Sequence, residues 1–432
     1  RDRSPSRGLG DVYKRQPENF HIDMPEAVRN IIHTIEEHGF KAYAVGGCIR
    51  DSILGRNPDD WDITTSAVPS QIKTFFKRTV DTGIAHGTVT IMIDKTGYEV
   101  TTYRIDGEYE DGRHPKSVEF SDRLVDDLCR RDFTINAMAY NDTDGFVDEF
   151  KGLDDLDAKI IRCVGEPELR FTEDALRMMR AIRFSAQLGF TIDEATWDAI
   201  KKLSPSISKI SMERVHVELG KTLMSAHPDY VAQYSEAGLF APILPLIDNA
   251  LKSRYKRKIL ATLQHTPDNI YLRYAALFIT STPDETAKTL RALKLDNKTV
   301  DTVSKLVELS KMDIEETEPA VRTALNKYGR DFLPLWHELM MAVIQASEDI
   351  TGISNPAKVK HLLTLKRLAT DILARGDCFT IKGLDISGND LIEYGLQGHE
   401  IGETLKSLLD IVIENPKLND KATLIAMIEH IK

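Results

Sequence analysis

The pattern of apolar and polar positions predicts a mixed α/β region near the start of the chain. Residues 25–40 (PEAVRNIIHTIEEHGF) carry apolar side chains at helical spacing and predict a helix that ends at Gly39. The runs KAYAVGG (41–47) and WDITTS (61–66) are short and apolar or β-branched, which predicts strands. Between them, CIRDSILG (48–55) predicts one or two helical turns.

The following segments predict a helix, a hairpin and a loop. PSQIKTFF (69–76) predicts a helix that is opened by Ser66 and has a proline near its first turn. GTVTIMID (87–94) and YEVTTYR (98–104) alternate in polarity and are joined by the turn DKTG, which predicts a strand pair. DGRHPKSVEF (111–120) is polar and irregular, and predicts a flexible loop.

Beyond about residue 155 the apolar positions follow a helical period. No fixed-length repeat is visible, so a solenoid is not expected. The predicted fold class is α+β multidomain, with a mixed α/β head followed by an all-helical remainder. The helical spacing is clearest in TEDALRMMRAIRFSAQLGF (172–190), SMERVHVELGKTLMS (211–225), LRYAALFIT (272–280) and TLKRLATDILARG (364–376).

Composition limits the class of protein and its compartment. A chain of 432 residues with 42% hydrophobic and 28% charged residues suggests an ordinary globular protein of two or more domains. No stretch approaches 18 uncharged apolar residues, so no membrane partner is expected. The cysteines are far apart without CxxC spacing, which predicts a reducing, cytoplasmic location with no zinc site and no disulfide frame. They are Cys48, Cys129, Cys163 and Cys378.

Charge is distributed unevenly along the chain. The net charge of −11 argues against nucleic acid as a partner, although phosphate contacts depend on local patches. The basic stretches 252–258 and 358–367 fit RNA contacts and solvated helix faces equally well. Residues 1–16 (RDRSPSRGLGDVYKRQ) lack the apolar core of a signal peptide and are expected to be translated adapter or vector sequence. We therefore expect residues 1–20 to be a disordered leader.

Candidate chemistry begins at NPDDWDITTS (57–66), where Asp60 and Asp62 stand two positions apart. Side chains at i and i+2 of a strand share one face, so these carboxylates would lie side by side. Two like charges that close favour a cation between them, and oxygen ligands suit Mg²⁺. Glu99, on a neighbouring predicted strand, is the candidate third carboxylate. The alternatives are solvated acids at a loop-to-strand junction and, for Glu99, an exposed strand acid.

A double glycine precedes the carboxylates. Gly46 and Gly47 follow a predicted strand and precede a predicted helix, where backbone N–H groups can approach phosphate closely. Arg50, one turn into the helix, can add a charge-assisted contact. The glycines, the arginine and the Asp-x-Asp pair together predict a triphosphate cradle beside a metal site.

These motifs resemble those of the class II tRNA nucleotidyltransferases, or CCA-adding enzymes, and the related bacterial poly(A) polymerases. The resemblance covers residues 42 to about 225, and IKGLDISGNDLIEYGL (381–396) is more weakly similar to tails of the family. It is carried by four stretches in one order: GGCIRD…DDWDITT (46–65), RRDFTINAMAY (130–140), GEPELRFTEDALRMMRAIRF (165–184) and ISMERVHVELGKTL (210–223).

The resemblance implies an architecture and a reaction. It implies a polymerase-β-like nucleotidyltransferase head (21–150), a helical neck (151–225), a helical body (226–310) and a tRNA-binding helical tail (311–432). The reaction would be template-independent addition of CCA to the 3′ end of tRNA from CTP and ATP. Asp60 and Asp62 would hold Mg²⁺ so that the 3′-hydroxyl attacks the α-phosphate and pyrophosphate leaves.

RRDFTINAMAY is the candidate triphosphate and ribose motif. Arg131 can meet triphosphate, while Asp132 and Asn136 can hydrogen-bond ribose hydroxyls and so select ribonucleotides. The alternative interpretation is a buried salt bridge that braces the head.

EDALRMMRAIR is the candidate nucleotide-selecting helix. Asp174 and Arg177 are three apart, which predicts that they neighbour each other on one helix face. In the family the equivalent pair serves as an amino-acid template that recognises C and then A. Arg180 and Arg183 continue the face and can reach phosphate. The alternative is surface ion pairing.

Two further features refine the resemblance. The segment 111–120 matches a flexible loop that enzymes adding only C lack, so its presence favours addition of the terminal A. LRYAALFIT resembles the frame that leads into the His-Asp pair of a metal phosphohydrolase in some relatives. Here Ile279 and Thr280 occupy those positions, so no hydrolase activity is expected.

Rival functions stay open at this stage. An A-adding tRNA nucleotidyltransferase or a poly(A) polymerase shares the same motifs. A catalytically silent RNA-binding protein is the non-enzyme alternative, and the intact candidate residues argue against it. The sequence does not give the oligomeric state.

Overall fold

The computed structural model of the chain describes residues 21–107 and 118–431, which form two compact units. The first unit comprises the chain up to residue 226 together with 233–243, and the second comprises 227–232 and the chain from residue 244 onward. The predicted leader and residues 108–117, which include most of the predicted flexible loop, lie outside the described residues. The four-part division into head, neck, body and tail stays a prediction.

The first unit contains the sheet structure. Its described strands are β1 (Ala42–Val45), β2 (Asp62–Thr65), β3 (Thr79–Gly83), β4 (Thr88–Ile93), β5 (Thr96–Thr102), β6 (Arg104–Asp106), β7 (Val118–Phe120), β8 (Ala139–Asn141), β9 (Gly145–Val147), β10 (Ile160–Ile161) and β11 (Thr191–Ile192). Seven of them form one mixed sheet in the order β3-β4-β5-β2-β1-β8-β9. The pairs β6–β7 and β10–β11 form two small separate sheets.

Helices make up the rest of the first unit. They are α1 (Glu26–Glu37), α2 (Gly47–Ile53), α3 (Pro69–Phe75), α4 (Leu124–Cys129), α5 (Gly152–Ala158), α6 (Pro167–Glu173), α7 (Leu176–Leu188), α8 (Glu194–Leu203) and α9 (Met212–Leu223). The next helix, α10 (Val231–Glu236), contributes residues to both units. A mixed α/β region followed by helices confirms the predicted fold class.

The second unit is helical throughout its described residues. Its further helices are α11 (Pro245–Lys252), α12 (Lys256–His265), α13 (Ile270–Leu277), α14 (Pro283–Ala292), α15 (Asn297–Leu309), α16 (Glu318–Tyr328), α17 (Phe332–Thr351), α18 (Pro356–Arg375), α19 (Gly388–Glu393), α20 (His399–Glu414) and α21 (Lys421–Ile431). Apolar side chains such as Leu391, Leu408 and Leu424 form a buried core around α19, α20 and α21. Across 21–107 and 118–431, none of the helices combines the length and apolar character that crossing a bilayer requires.

The register of three strands brings the candidate motifs together. In the antiparallel pair β1–β2, Val45 lies opposite Asp62, so the double glycine directly follows the residue that faces the carboxylate strand. Val45 also lies opposite Ala139 of β8, and Gly46 donates its N–H to the Met138 carbonyl over 3.2 Å. The end of β1 is therefore the point at which the GG, Asp-x-Asp and RRDFTINAMAY stretches meet.

The hairpin β4–β5 fixes the position of Glu99. Asp94 and Lys95 connect the strands with φ of 48° and 71°, as a two-residue type I′ turn requires. On its other edge β5 pairs in parallel with β2, with Val100 beside Ile63. Glu99 consequently lies next to Asp62 on the same face of the sheet.

Some predicted details are wrong. Ser66 does not open α3; its hydroxyl accepts the Lys41 N–H over 2.9 Å, and the Gln71 side chain accepts the Val68 N–H at the helix start. Part of the predicted loop, 118–120, is strand β7, paired with β6. The predicted continuous helix 172–190 is interrupted at Asp174.

Candidate functional site

The Gly46–Gly47 turn lies directly against Arg131. Gly46 has φ of +88°, a conformation that L side chains rarely adopt, and a Cβ there would stand 3.0 Å from Arg131 Nη1. The Arg131 guanidinium therefore lies over the turn that leads into α2. The structure brings together the two elements that were predicted to cradle a triphosphate.

Arg50 is buried and its donors are engaged within the protein. Its Nη1 donates to Asn136 Oδ1 over 2.6 Å, and its Nε and Nη2 donate to the Asp51 carboxylate over 3.0 and 2.7 Å. The guanidinium carbon lies 5.0 Å from the centre of the Phe184 ring. Arg50 thus holds Asn136 in place, and its guanidinium is not available for the predicted phosphate contact.

Asp60, Asp62 and Glu99 form a patch of negative charge at the start of β2 and beside it on β5. Asp60 and Asp62 are exposed, on either side of the buried Trp61. Desolvation by the surrounding protein raises the pKa of Asp62, Arg131 lowers it in part, and the charge of Asp60 raises it again. Desolvation also raises the pKa of Glu99, and the charges of Asp62 and Asp60 add to that shift. A cation is the ligand that would relieve this repulsion.

The donor set fits a hard divalent cation held by few protein ligands. Within the part of the chain that the structure describes, no three His, Cys, Asp or Glu side chains are arranged to hold a metal ion. Mg²⁺ is commonly bound by one or two carboxylates together with substrate phosphates, so the exposed pair Asp60 and Asp62 suits it. Glu99 contributes charge to the patch, and its role as a third ligand stays a prediction.

Asp132 and Asn136 are held together as a hydrogen-bonded pair. Asn136 Nδ2 donates to Asp132 Oδ1 over 3.1 Å, and Arg180 Nε donates to Asp132 Oδ2 over 2.7 Å. Burial alone would raise the pKa of Asp132, but the Arg180 charge and the Asn136 hydrogen bond outweigh burial and lower it. Asp132 and Asn136, the predicted ribose-binding pair, are therefore assembled, and Arg180 on α7 holds the Asp132 carboxylate.

Asp174 and Arg177 do not share a helix face, which corrects the prediction from their spacing. Asp174 has extended backbone angles (φ −146°, ψ 104°) at the end of α6, whereas Arg177 lies in α7. Arg177 donates to Glu173 Oε2 over 2.7 Å and to the Arg130 carbonyl over 3.0 Å. Asp174 instead accepts from Arg214 over 2.7 and 3.2 Å.

Arg183 is part of the core of the first unit. Its Nε donates to Glu218 Oε2 over 2.5 Å, and its Nη1 donates to Gln187 over 2.7 Å. Its guanidinium carbon lies 3.8 Å from the centre of the Phe184 ring. Burial lowers the pKa of Arg183, and Glu218 acts against that shift. The predicted reach of Arg183 to phosphate is therefore not supported.

Sequence reasoning missed several residues that orient the site. Asp127, on α4, is fully buried and bonded to both Arg130 and Arg131. Its spacing of three and four residues from these arginines was a local signal that could have found it. Arg214 and Glu218, both on α9, pair with residues at least 35 positions away, and no local signal marks them.

Three family models match successive parts of the chain. Residues 42–162 match the "Poly A polymerase head domain". Residues 189–251 match a model described as an RNA and SrmB- binding site of polymerase A. Residues 268–428 match "tRNA nucleotidyltransferase domain 2". The matches follow the order head, RNA-binding segment and helical region.

Individual proteins are similar over different lengths. The CCA-adding enzyme of Limosilactobacillus reuteri (strain DSM 20016) is 52% identical over 203 residues, which is 47% of this chain and about half (50%) of that relative. The CCA-adding enzyme of Levilactobacillus brevis is 37% identical over 95% of this chain and 98% of its own length.

Comparison with solved structures points to the same family as the sequence comparison. The Bacillus stearothermophilus CCA-adding enzyme, solved in complex with CTP, superposes with a TM-score of 0.73 at 32% identity. That similarity covers 94% of this chain and 96% of the Bacillus chain. The family generally uses a divalent metal ion. Together with the full-length relatives, these similarities show that the chain belongs to the family of CCA-adding enzymes, which are tRNA nucleotidyltransferases.

Proposed function

We propose that this chain adds C, C and A to the 3′ end of tRNA, using CTP and ATP and no nucleic-acid template. The observation that carries the proposal is the meeting of Gly46, Arg131 and Asp62 at the end of β1. Family membership and the CTP complex of the Bacillus relative support the same activity. Residues 387–402 and the basic stretches 252–258 and 358–367 are our candidates for tRNA contacts by backbone and shape.

The reaction transfers one nucleotidyl group at each step. The 3′-hydroxyl oxygen of the RNA forms a bond to the α-phosphorus of the nucleotide, and the bond from that phosphorus to the β-phosphate oxygen breaks. The hydroxyl proton passes to solvent water and pyrophosphate leaves. Asp60 and Asp62 would hold Mg²⁺, which when bound would supply Lewis-acid stabilisation of the attacking and leaving oxygens, worth several kcal/mol.

The remaining residues bind and select the nucleotide. Arg131 and the Gly46–Gly47 turn bind the triphosphate. Asp132 accepts hydrogen bonds from the ribose hydroxyls, and Asn136 donates to them. Analogues that lack a 2′-hydroxyl are disfavoured because they cannot make the hydrogen bond of that hydroxyl in the buried site.

The base is read by two side chains with complementary hydrogen-bonding capacity. Asp174 offers carboxylate acceptors and Arg177 offers guanidinium donors to the Watson–Crick edge of C or A. Asp174 Oδ1 accepts from Arg214 and from the Leu176 N–H, whereas Oδ2 accepts only from Arg214 among the described residues and so keeps a lone pair for this purpose. The four free cysteines, none of them in a disulfide, support a reducing, cytoplasmic location.

The test is incorporation of labelled CTP and ATP, with Mg²⁺, onto tRNA transcripts ending at the discriminator base, at C and at CC. We expect addition that stops once CCA is complete. Asp62→Ala abolishes incorporation, and the neighbouring exposed Asp59→Ala is the matched control that retains it. Use of ATP only on the CC-ending tRNA would identify an A-adding enzyme instead, and long A tails would identify a poly(A) polymerase. RNA binding without any incorporation would overturn the enzyme proposal.

A further inference from the structure

Asp127 is a carboxylate with no solvent exposure in the middle of the candidate site's supporting structure. Arg130 donates to its Oδ1 through Nε at 3.0 Å and Nη2 at 2.5 Å. Arg131 donates to Oδ2 over 3.2 Å, and the Thr64 hydroxyl lies 3.1 Å from the same oxygen. Burial acts to raise the pKa of Asp127, but the two arginines outweigh it and the pKa is lowered. Asp127 is therefore a buried anion with two cationic partners.

One side of Asp127 faces the strand that carries the metal-binding candidates. Thr64 lies two positions after Asp62 in β2, so the two side chains point to the same face of the sheet. The Thr64–Asp127 contact thus ties α4 to the face of β2 that presents Asp62. A shift of α4 relative to β2 would therefore displace the side chains on that face.

The same Oδ2 oxygen of Asp127 also holds Arg131. Among the described residues, Asp127 supplies the one hydrogen-bond acceptor that the Arg131 side chain meets. Within 21–107 and 118–431, the buried Arg131 Nε has no partner, and Nη1 points to the Gly46 turn. The hydrogen bond to Asp127 therefore sets the direction of the long Arg131 side chain. Without that bond, the rotamer freedom of Arg131 would be lost only when nucleotide binds, which would weaken binding.

The segment that follows Asp127 carries acceptors for the base-reading region. The Cys129 carbonyl accepts from Arg170 over 3.1 Å, and the Arg130 carbonyl accepts from Arg177 over 3.0 Å. Asp127 holds the Arg130 side chain and with it the conformation of this short segment. Strand β2, the phosphate-facing Arg131 and the base-reading Arg177 all make contact with Asp127 or with the segment it fixes.

We infer that Asp127 is a positioning residue for nucleotidyl transfer, which sets the distance between the metal-binding face of β2 and the groups that hold triphosphate and base. The inference rests on the proposed function. Displacing reacting groups by about 1 Å can cost about 100-fold in rate, so a positioning residue is expected to change kcat even when the fold is intact.

The experiment compares two isosteric changes of buried carboxylates in the same unit. Asp127→Asn removes the charge that orients Arg131. Asp155→Asn is the matched control, because Asp155 is also buried and paired with an arginine and a hydroxyl, those of Arg162 and Thr134. We expect Asp127→Asn to lower kcat/KM for CTP and ATP about 100-fold. Asp155→Asn should change activity only in proportion to its folded fraction, measured by thermal unfolding.

A second pair of variants keeps the test decisive if Asp127→Asn does not fold. Thr64→Val removes the hydroxyl that links β2 to Asp127, together with its 3.2 Å contact to the Thr101 carbonyl, and leaves the arginine contacts of Asp127 in place. We expect kcat to fall about 10-fold with little change in CTP affinity measured without tRNA, and Thr64→Ser to restore kcat.

Each outcome has a distinct meaning. Equal kcat/KM for Asp127→Asn, Asp155→Asn and wild type, after correction for folded protein, would overturn the positioning role. Unchanged kcat in Thr64→Val would overturn the link to β2. Absence of incorporation by the wild-type chain would instead contradict the proposed function.

Discussion

Asp174 and Arg214 form a two-pronged ion pair across 40 positions of the chain. Nη2 of Arg214 lies 2.7 Å from Oδ2 of Asp174, and Nη1 lies 3.2 Å from Oδ1. The N–H of Leu176 also donates to Oδ1, over 3.0 Å. The direction of the carboxylate that we propose to read the base is therefore set by α9 and the first turn of α7, and not by a shared helix face with Arg177.

We predict that Arg214→Lys impairs nucleotide selection. A lysine keeps the charge but cannot make both hydrogen bonds, so Asp174 loses its fixed orientation. Loss of hydrogen bonding to a charged group corresponds to about 10- to 100-fold in kcat/KM for CTP and ATP. Misincorporation of GTP and UTP should rise at the same time, measured in single-nucleotide incorporation assays. Lower activity with unchanged discrimination would contradict a role in orienting Asp174.

Gly46→Ala is expected to weaken nucleotide binding. Alanine at φ of +88° and ψ of −132°, a region that is close to glycine-only, costs about 1–3 kcal/mol of backbone strain, and its Cβ would press on Arg131 Nη1 at 3.0 Å. Gly55→Ala is the matched control: Gly55 also has a positive φ, of +70°, but a Cβ there meets nothing within 4 Å. Both variants should lose stability, and only Gly46→Ala should raise KM for CTP. An equal rise in KM for both would show that strain alone is responsible.

The pair Arg183–Glu218 is expected to support the fold and not the chemistry. Glu218→Gln leaves a buried arginine without its anion, which costs about 3–5 kcal/mol in the free energy of unfolding. The double variant Arg183→Met, Glu218→Leu should recover most of that stability in urea unfolding experiments. Its activity per folded molecule should stay near that of wild type. A folded double variant with no activity would indicate that Arg183 acts in the nucleotide site.

Asp62→Asn is expected to stabilise the metal-free protein at neutral pH while abolishing activity. The pKa of Asp62 is raised in the folded state above its ordinary value of 3.8, so its charged form opposes folding. That cost is absent below the unfolded pKa, develops as pH rises through the folded pKa, and is complete at pH 7.

Thermal unfolding in EDTA tests this prediction. The variant should melt above wild type at pH 7, and the difference should disappear near pH 3. Mg²⁺ should stabilise wild type more than the variant, because only wild type supplies the Asp62 carboxylate as a ligand. A wild-type protein that is the more stable of the two at pH 7 without metal would refute the charge repulsion.

The sequence was most informative where the chemistry is local. Gly46, Asp60 and Asp62 lie close in the chain, and the strand–turn–helix pattern around them is sufficient to predict that they share a site. Arg214 and Glu218 could not be predicted because their partnerships depend on how helices distant in sequence pack. The interruption before α7 was missed because the apolar period runs through it, although an aspartate that accepts a hydrogen bond from the N–H two residues later is typical of a helix start.

The two-residue turn at Asp94 and Lys95 has a consequence for how this protein can vary. Exposed turns usually accept insertions, since little packs against them. Here one added residue that the turn does not absorb as a longer loop would shift the register of β5 and turn Glu99 to the opposite face from Asp62. Selection would therefore act on the length of this turn more strongly than on its residues, and a surface position distant in chain order from Asp62 would evolve under the constraints of the active site.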